Sequence, residues 1–507
     1  MGLILSGRRR SCRETERGLK WFDEPFSGCA DCIWLLLSCE GGSCIGAPKV
    51  LEFLDSLKNF EKLGVPKGAG TESAEGFDLA RMYRLLSAFG DPLSCYPVIH
   101  VAGTKGKGST AAFIGNILRA EGYSVGSYTS PHIMSIHERI VAGKSEDPIT
   151  PDAFQKLFED NRKILEEAIA AEQGALTYFE VLSVLAFQYF AQVNVDIAVV
   201  EAGLGGARDA TNVISAAGLA VAVITNIGKE HSVALGGSLE SIALAKSGII
   251  KQGRPVVLGG PLDLHIEEII CEVAASKSSK VIRAFGEGMH HRIGGVTLED
   301  SGAFQSCDLS IDLLFPGGSL RSWKLDKKSL QLRMLGPHQL NNALTAICTI
   351  LCIRDQGWRI KEDAIWSGLE RTFTLGRFQV MPKAESIRLG CDLSTLVLDG
   401  ALVIAMASDK DHHGFCQELL QGSAPKVVVV TESMVAGGKY RSTAASVLVD
   451  CWCQAARTKK LEVLHALTKD DVKGSKPDSV ITITDSESIS LRQKILEEKY
   501  AMASHLI

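Results

Sequence analysis

The residues from Pro97 to Ser130 constrain this chain more than any other stretch. A short apolar run, Val98 to Val101, enters a loop carrying three glycines, and a helical pattern follows. The loop holds Gly103, Thr104, Lys105, Gly106, Lys107 and Gly108, then Ser109 and Thr110. Phe113, Ile117 and Leu118 mark one side of the helix, which stops at Gly122. Glycines let the backbone approach a phosphate closely, and the amides at a helix start point at it. A lysine adds charge, and a hydroxyl suits Mg²⁺. Strand, loop, lysine and helix in this order read as a phosphate-binding loop rather than a plain glycine turn. The spacing departs from the common pattern, because Gly108 separates Lys107 from Ser109.

The chain has 507 residues, enough for several domains, with 46% hydrophobic and 22% charged residues. A net charge of −5 gives no basic surface for nucleic acid. No apolar run has the length to cross a bilayer, and Ile33 to Leu37 is far too short. The 14 cysteines are scattered; Cys271, Cys348 and Cys352 sit in apolar runs as small hydrophobes, which suits a reducing compartment. Cys29 and Cys32, with Cys39 and Cys44, have no second pair at finger spacing, so zinc is not expected. In residues 1–48, Arg8, Arg9, Arg10, Arg13 and Arg17 look like an organelle presequence, while Glu14, Glu16, Asp23 and Glu24 argue against one. A presequence and a poorly ordered extension both stay open.

Residues 49–92 carry helical periodicity, and the glycine-rich stretch from Gly64 to Gly70 reads as a connector within it. A second strand, Ser124 to Tyr128, delivers Ser130 to a strand end, where it reads either as a capping serine or as a metal ligand. Residues 151–193 read as helices interrupted near Gly174, with Thr177 and Glu180 at capping-box spacing. Val195 to Glu201 is a nearly continuous apolar run suited to a strand buried on both faces. An acid at its end is costly unless paired or bound to a cation, and a magnesium role is preferred to a structural ion pair. Leu219 to Ile227 repeats the design and leads to His231, a loop histidine or a ligand. A helix over 238–251 carries Lys246, by itself an ordinary surface lysine, and Val256 to Leu258 is a further strand. The alternation predicts an α/β fold with a doubly wound, mostly parallel sheet. A helix opens near Pro337, and strands recur at Leu396–Leu398, Val427–Thr431 and Val480–Thr484. They predict a smaller Rossmann-like domain over 376–507 after a P-loop domain over 49–375.

Together these stretches resemble the folate ligase family, dihydrofolate synthase and folylpolyglutamate synthase, relatives of the Mur ligases. The resemblance lies in Gly103–Ser109, Thr129–His132, Leu176–Glu180, Glu201–Gly206, Asp209–Asn212, His231, Lys246–Lys251, His338–Ala343, Gly376–Arg377 and Asp399–Ala401. It implies an ATP-dependent ligase that turns a carboxylate into an acyl phosphate, which the amine of L-glutamate then attacks. Lys107 and the loop Gly103–Thr110 would hold ATP phosphates. Ser130 and Glu201 resemble ligands of one Mg²⁺, and His231 of a second. Lys246 matches a lysine carbamylated in the family. Asn342 resembles an adenine contact, Arg377 a phosphate contact, and Asp399 the second-domain aspartate facing nucleotide and amino acid. Pro131, His132, Arg139, Thr177, Phe179 and Glu180 would lie near the pterin. The segment Glu201–Asn212 looks nearest to plant dihydrofolate synthases, which implies 7,8-dihydropteroate as acceptor, with polyglutamylation of tetrahydrofolate as the runner-up. A monomer in mitochondrion or cytosol is expected.

The family pattern breaks after Asp399-Gly400-Ala401. Ala401 runs straight into Leu402–Met406, without the dozen or so residues that a crossover between parallel neighbours needs. This predicts a second domain whose first βαβ unit is incomplete, and a nucleotide-binding but inactive chain is the alternative it raises. Residues 481–507 match the family poorly.

Overall fold

The computed structural model describes residues 49–72, 76–133, 135–299, 302–314 and 322–374, together with separate elements nearer both ends. Near the N-terminus, β1 (Arg8–Arg13) and β2 (Lys20–Pro25) pair as an antiparallel hairpin. Cys29, Cys32, Cys39, Cys44 and the run Ile33–Leu37 lie outside the described residues.

The main body opens with α1 (Lys49–Ser56), α2 (Phe60–Leu63) and α3 (Leu79–Ala88). It continues through β3 (Val98–Ala102), α4 (Lys107–Glu121), β4 (Val125–Tyr128), β5 (Ile140–Val141), α5 (Pro151–Ala171) and α6 (Tyr178–Gln192). Then come β6 (Ile197–Glu201), β7 (Leu219–Ile224), α7 (Leu239–Ser247), β8 (Val256–Leu258), α8 (Leu264–Ser276) and β9 (Val281–Arg283). Seven strands form one sheet in the order β5-β4-β6-β3-β7-β8-β9, parallel except for the β4–β5 pair. This is the expected doubly wound design, with β3 in the middle and later strands laid on both of its edges.

Residues of each central strand alternate between two cores. Val98, Ala102, Ala198, Val200, Ala222 and Ile224 pack on one side with α1, α3, α5, α6 and α8. Ile99, Val101, Ile197, Val199, Val221 and Val223 pack on the other with α4 and two later helices, α9 (Pro337–Asp355) and α10 (Glu362–Arg371). That second face also receives an antiparallel sheet of β10 (Met289–Glu299), β11 (Gly302–Leu314) and β12 (Ser322–Leu332), which the sequence reading did not anticipate. Its inward row, Cys307, Leu309, Ile311 and Leu313, has the period of two that a half-buried strand requires.

Helix boundaries follow local chemistry. Thr150 caps α5 ahead of Pro151, and Thr177 with Glu180 forms the expected capping box of α6. Gly122, at φ 107°, closes α4 in a conformation that favours glycine. The helix expected over 238–251 ends earlier, at Ser247, with Gly248 as its cap.

Toward the C-terminus, β13 (Ala401–Ile404), β14 (Val427–Val430), β15 (Val463–His465) and β16 (Val480–Ile483) form a parallel sheet ordered β13-β14-β16-β15. Two helices, α11 (His412–Leu419) and α12 (Ala445–Thr458), accompany it. Leu396–Leu398 and the hinge near residue 376 lie outside the described residues, so the missing crossover is not visible. The next unit, β13–α11–β14, joins parallel neighbours through a helix.

Gly368 lets α10 lie directly on α4, since a Cβ there would fall on the backbone of Ile117. Gly368→Ala is expected to destabilise the main body by about 2 kcal/mol through overpacking. Urea unfolding of the variant against the parent chain measures it.

Candidate active site at the strand tips

The loop after β3 is sewn to the tip of β7. The Thr104 amide donates to Asn226 O at 2.8 Å, Gly228 N donates to Thr104 Oγ1 at 2.9 Å, and Thr225 Oγ1 donates to Lys105 O at 2.6 Å. A Cβ on Gly103 would fall on Thr225 Oγ1, so only glycine admits this approach. Gly106, at φ 83°, turns the chain into α4, and a Cβ there would fall on Asn342 Oδ1. Asn342, in the second turn of α9, donates to Gln339 Oε1 at 3.0 Å. The expected adenine residue thus lies against the expected phosphate loop. Ser109 and Thr110 are buried in the first turn of α4, where Thr110 Oγ1 has no hydrogen-bond partner. Gly108 stands between them and Lys107.

Glu201 ends β6 in register with Val101 of β3, and is 4% exposed. Lys107 Nζ stands 3.9 Å from its Oε1, and the Ser130 amide donates to its Oε2 at 3.2 Å. Lys246 is not a surface lysine. It is 4% exposed, and its Nζ donates to Gly103 O at 2.8 Å, beneath the loop. Burial, and then the charge of Lys107, push its amine down to about 7. His231 has a positive φ of 51°, and its carbonyl accepts from the amides of Ala234 and Leu235. The residues after it bind the glycine stretch: Gly68 N donates to Val233 O (3.1 Å) and Gly70 N to Ala234 O (3.0 Å). The Gly64–Gly70 connector is therefore also part of the rim. Among the described residues, no three His, Cys, Asp or Glu side chains come together as a preformed metal cage.

On the other side of Glu201, Ser130 precedes Pro131 through a cis peptide. Arg139 is buried and forks onto Glu61 at 2.7 and 2.6 Å, while its Nε donates to His132 Nδ1 at 2.8 Å. Burial and the Arg139 charge lower the pKa of His132. Glu180 accepts from Thr177 N and Oγ1, both at 2.8 Å, and from Arg81 Nε at 2.9 Å. Arg139 and Glu180, expected near a substrate, are thus held by internal partners. Phe179 lies across Gly203, where a Cβ would stand 2.6 Å from the ring. The sequence reading missed Glu61 and Arg81, which pair across 78 and 99 residues with no local spacing to announce them. Arg377 and Asp399 lie outside the described residues.

Residues 101–350 match the family model of the Mur ligase middle domain. The dihydrofolate synthase/folylpolyglutamate synthase of Bacillus subtilis is 33% identical over 316 residues, covering 61% of this chain and 68% of that protein. The chain belongs to the dihydrofolate synthase/folylpolyglutamate synthase family. The folylpolyglutamate synthase structure from Thermotoga maritima is 28% identical, with a TM-score of 0.60, and the match covers 86% of this chain and 93% of that one. An FPGS-AMPPCP-folate complex is 25% identical, with a TM-score of 0.61 over 88% of this chain and 99% of that one. The family accounts for the fold, a mostly parallel, doubly wound α/β sheet with a smaller α/β domain toward the C-terminus. Among the described residues no helix is long and apolar enough to cross a membrane.

The depressed amine of Lys246 has a signed consequence. Between about pH 7 and the unfolded value of 10.5, the unfolded chain binds the proton that the folded chain has released. Stability of the parent relative to Lys246→Met therefore rises with pH across that window, by at most about 1.4 kcal/mol per unit. Urea unfolding of both proteins at two pH values inside the window measures the slope.

Proposed function

We propose that this chain is an ATP-dependent amide ligase that joins L-glutamate to a pterin-bearing carboxylate, with 7,8-dihydropteroate as first acceptor. The observation that carries the reading is the convergence on one buried carboxylate. Lys107 and Ser130 bracket Glu201, with Lys246 lodged under the same loop.

A carboxylate acylates poorly because an oxide leaving group is poor. Attack of its oxygen on the γ-phosphorus of ATP expels ADP and gives an acyl phosphate. The glutamate amine then attacks the acyl carbon, losing a proton, and phosphate leaves with the C–O bonding pair. In this reading the amides of Gly103–Ser109 cradle the phosphates and Lys107 offsets their charge against the incoming carboxylate. The Glu201 carboxylate and Ser130 hydroxyl are hard oxygen donors of the kind Mg²⁺ takes. Such an ion would supply further charge stabilisation at the phosphates. A second ion would need His231 together with a modified Lys246, because an ammonium cannot ligate a cation. An amine pushed down to about 7 is substantially neutral at physiological pH, the form that adds CO₂ to become an oxygen-donor carbamate. The pterin is assigned to the side of Glu201 that carries Pro131, His132, Thr177, Phe179 and Glu180, with buried Arg139 acting there through Glu61 and His132, and Arg377 and Asp399 remain assigned to phosphate and amino acid.

Purified full-length chain is expected to release ADP only when MgATP, L-glutamate and an acceptor are all present. Comparing 7,8-dihydropteroate with tetrahydrofolate sets the specificity; turnover with tetrahydrofolate alone would make it a polyglutamylating enzyme. Nucleotide binding without turnover on either acceptor would overturn the ligase reading. Glu201→Gln is expected to lower kcat by about 10²–10³, on the scale of losing one preorganised electrostatic contact, in the same ADP-release assay.

A further inference from the structure

His100 stands in the middle of β3, between Val200 of β6 and Ala222 of β7, with no exposed surface. Strand alternation gives it the same side as Val98 and Ala102, where an apolar residue is expected. Its Nε2 lies 2.8 Å from Thr211 Oγ1, and Thr211 Oγ1 lies 2.5 Å from Asp209 Oδ1. Asp209 is buried as well. It also accepts from the Thr211 amide at 3.0 Å and from the Leu204 amide at 2.7 Å. Leu204 belongs to the glycine loop that leaves Glu201. That loop runs on to Gly206, where a Cβ would stand 2.9 Å from the carbonyl oxygens of Ala245 and Lys246. The catalytic reading uses Glu201, where this loop begins, and leaves the loop's fastening unexplained.

The direction of this hydrogen-bond chain follows from counting protons. A threonine hydroxyl has one. The Asp209 carboxylate, which two backbone amides address, can only accept, so the hydroxyl proton of Thr211 goes to it and Thr211 Oγ1 accepts from His100. That fixes His100 as the Nε2–H tautomer. Its Nδ1 is then a bare lone pair, and Nδ1 has no hydrogen-bond partner. The opposite tautomer would bury an unpaired N–H, the rarer and costlier defect. Burial, with Lys251 adding to it, keeps the imidazole neutral, pushed down to about 3.

We propose that His100 is a positioning residue: it donates Nε2–H to Thr211, which orients the Asp209 carboxylate that holds the loop following Glu201. Hydrogen bonds aligned donor to acceptor polarise one another, so the chain acts as a unit. Its kinetic consequence rests on the ligase reading above; its tautomer does not.

The test has two arms on the full-length chain. Nitrogen-15 NMR of histidine-labelled protein is expected to show one imidazole, absent from His100→Gln, in the Nε2–H form and not titrating from about pH 6 to about pH 9. The Nδ1–H form at that residue would overturn the proposal. In steady-state ADP release, His100→Leu is expected to lower kcat about tenfold with the ATP KM unchanged, and His100→Gln, which keeps an N–H donor, to recover most of it. The double variant His100→Leu/Thr211→Val is expected to be no slower than Thr211→Val, because one chain can be broken only once. Additive losses, or equal losses for Leu and Gln, would overturn the proposal, as would a rise in KM alone. If His100→Leu fails to fold by urea titration, Thr211→Val and the tautomer of the parent decide the matter. If the parent shows no glutamate-dependent turnover, the ligase reading fails, and the tautomer alone decides the fastening.

Discussion

Glu201 is a carboxylate at the end of a strand whose other residues are wholly buried, and the surroundings answer the desolvation that this position imposes. A backbone amide from the segment just past β4 reaches one oxygen, and a lysine from the helix after β3 stands beside the other. Both arrive because parallel neighbours end together, so residues far apart in the chain meet at the same edge. The sheet order puts β3 between β6 and β7, and its loop touches both tips. Burial, and then the charge of Lys107, push the Lys246 amine down to about 7, so the two lysines need not both carry charge beside the loop.

Much of this was legible in advance because it is local or periodic. Unbroken apolar runs marked β6 and β7, since strands covered on both faces need no polar residue until they end. Thr177 and Glu180 sit three apart and form the box that this spacing foretells. Gly103 and Gly106 read as glycines that let the backbone approach a phosphate, whereas in the fold a Cβ at either would meet Thr225 or Asn342.

What escaped notice depends on distance or on a weak pattern. The burial of Lys246 follows from α7 being covered on several sides, which short periodicity does not reveal. The forks of Arg139 onto Glu61 and of Arg81 onto Glu180 join separate helices and loops, and charge pairing leaves no spacing signal. The β10–β12 sheet alternated clearly at Cys307, Leu309, Ile311 and Leu313, yet polar and glycine residues between the runs masked the pattern. His100 lies within the run Val98 to Val101, which read only as a short apolar strand. Its meaning appears only once Thr211 is seen across the sheet face.

The order of strands also dictates how the chain can be made. β3 finds its neighbours in β6 and β7, roughly a hundred residues further along. During synthesis, at about 5–20 residues per second, the central strand must wait several seconds on the ribosome with both edges bare. An apolar strand in that condition is a template for wrong pairing. The long helices α4, α5 and α6 are delivered in the interval, and they can cover its faces though not its edges. A nascent chain of this topology is one that chaperones have reason to hold until β7 emerges.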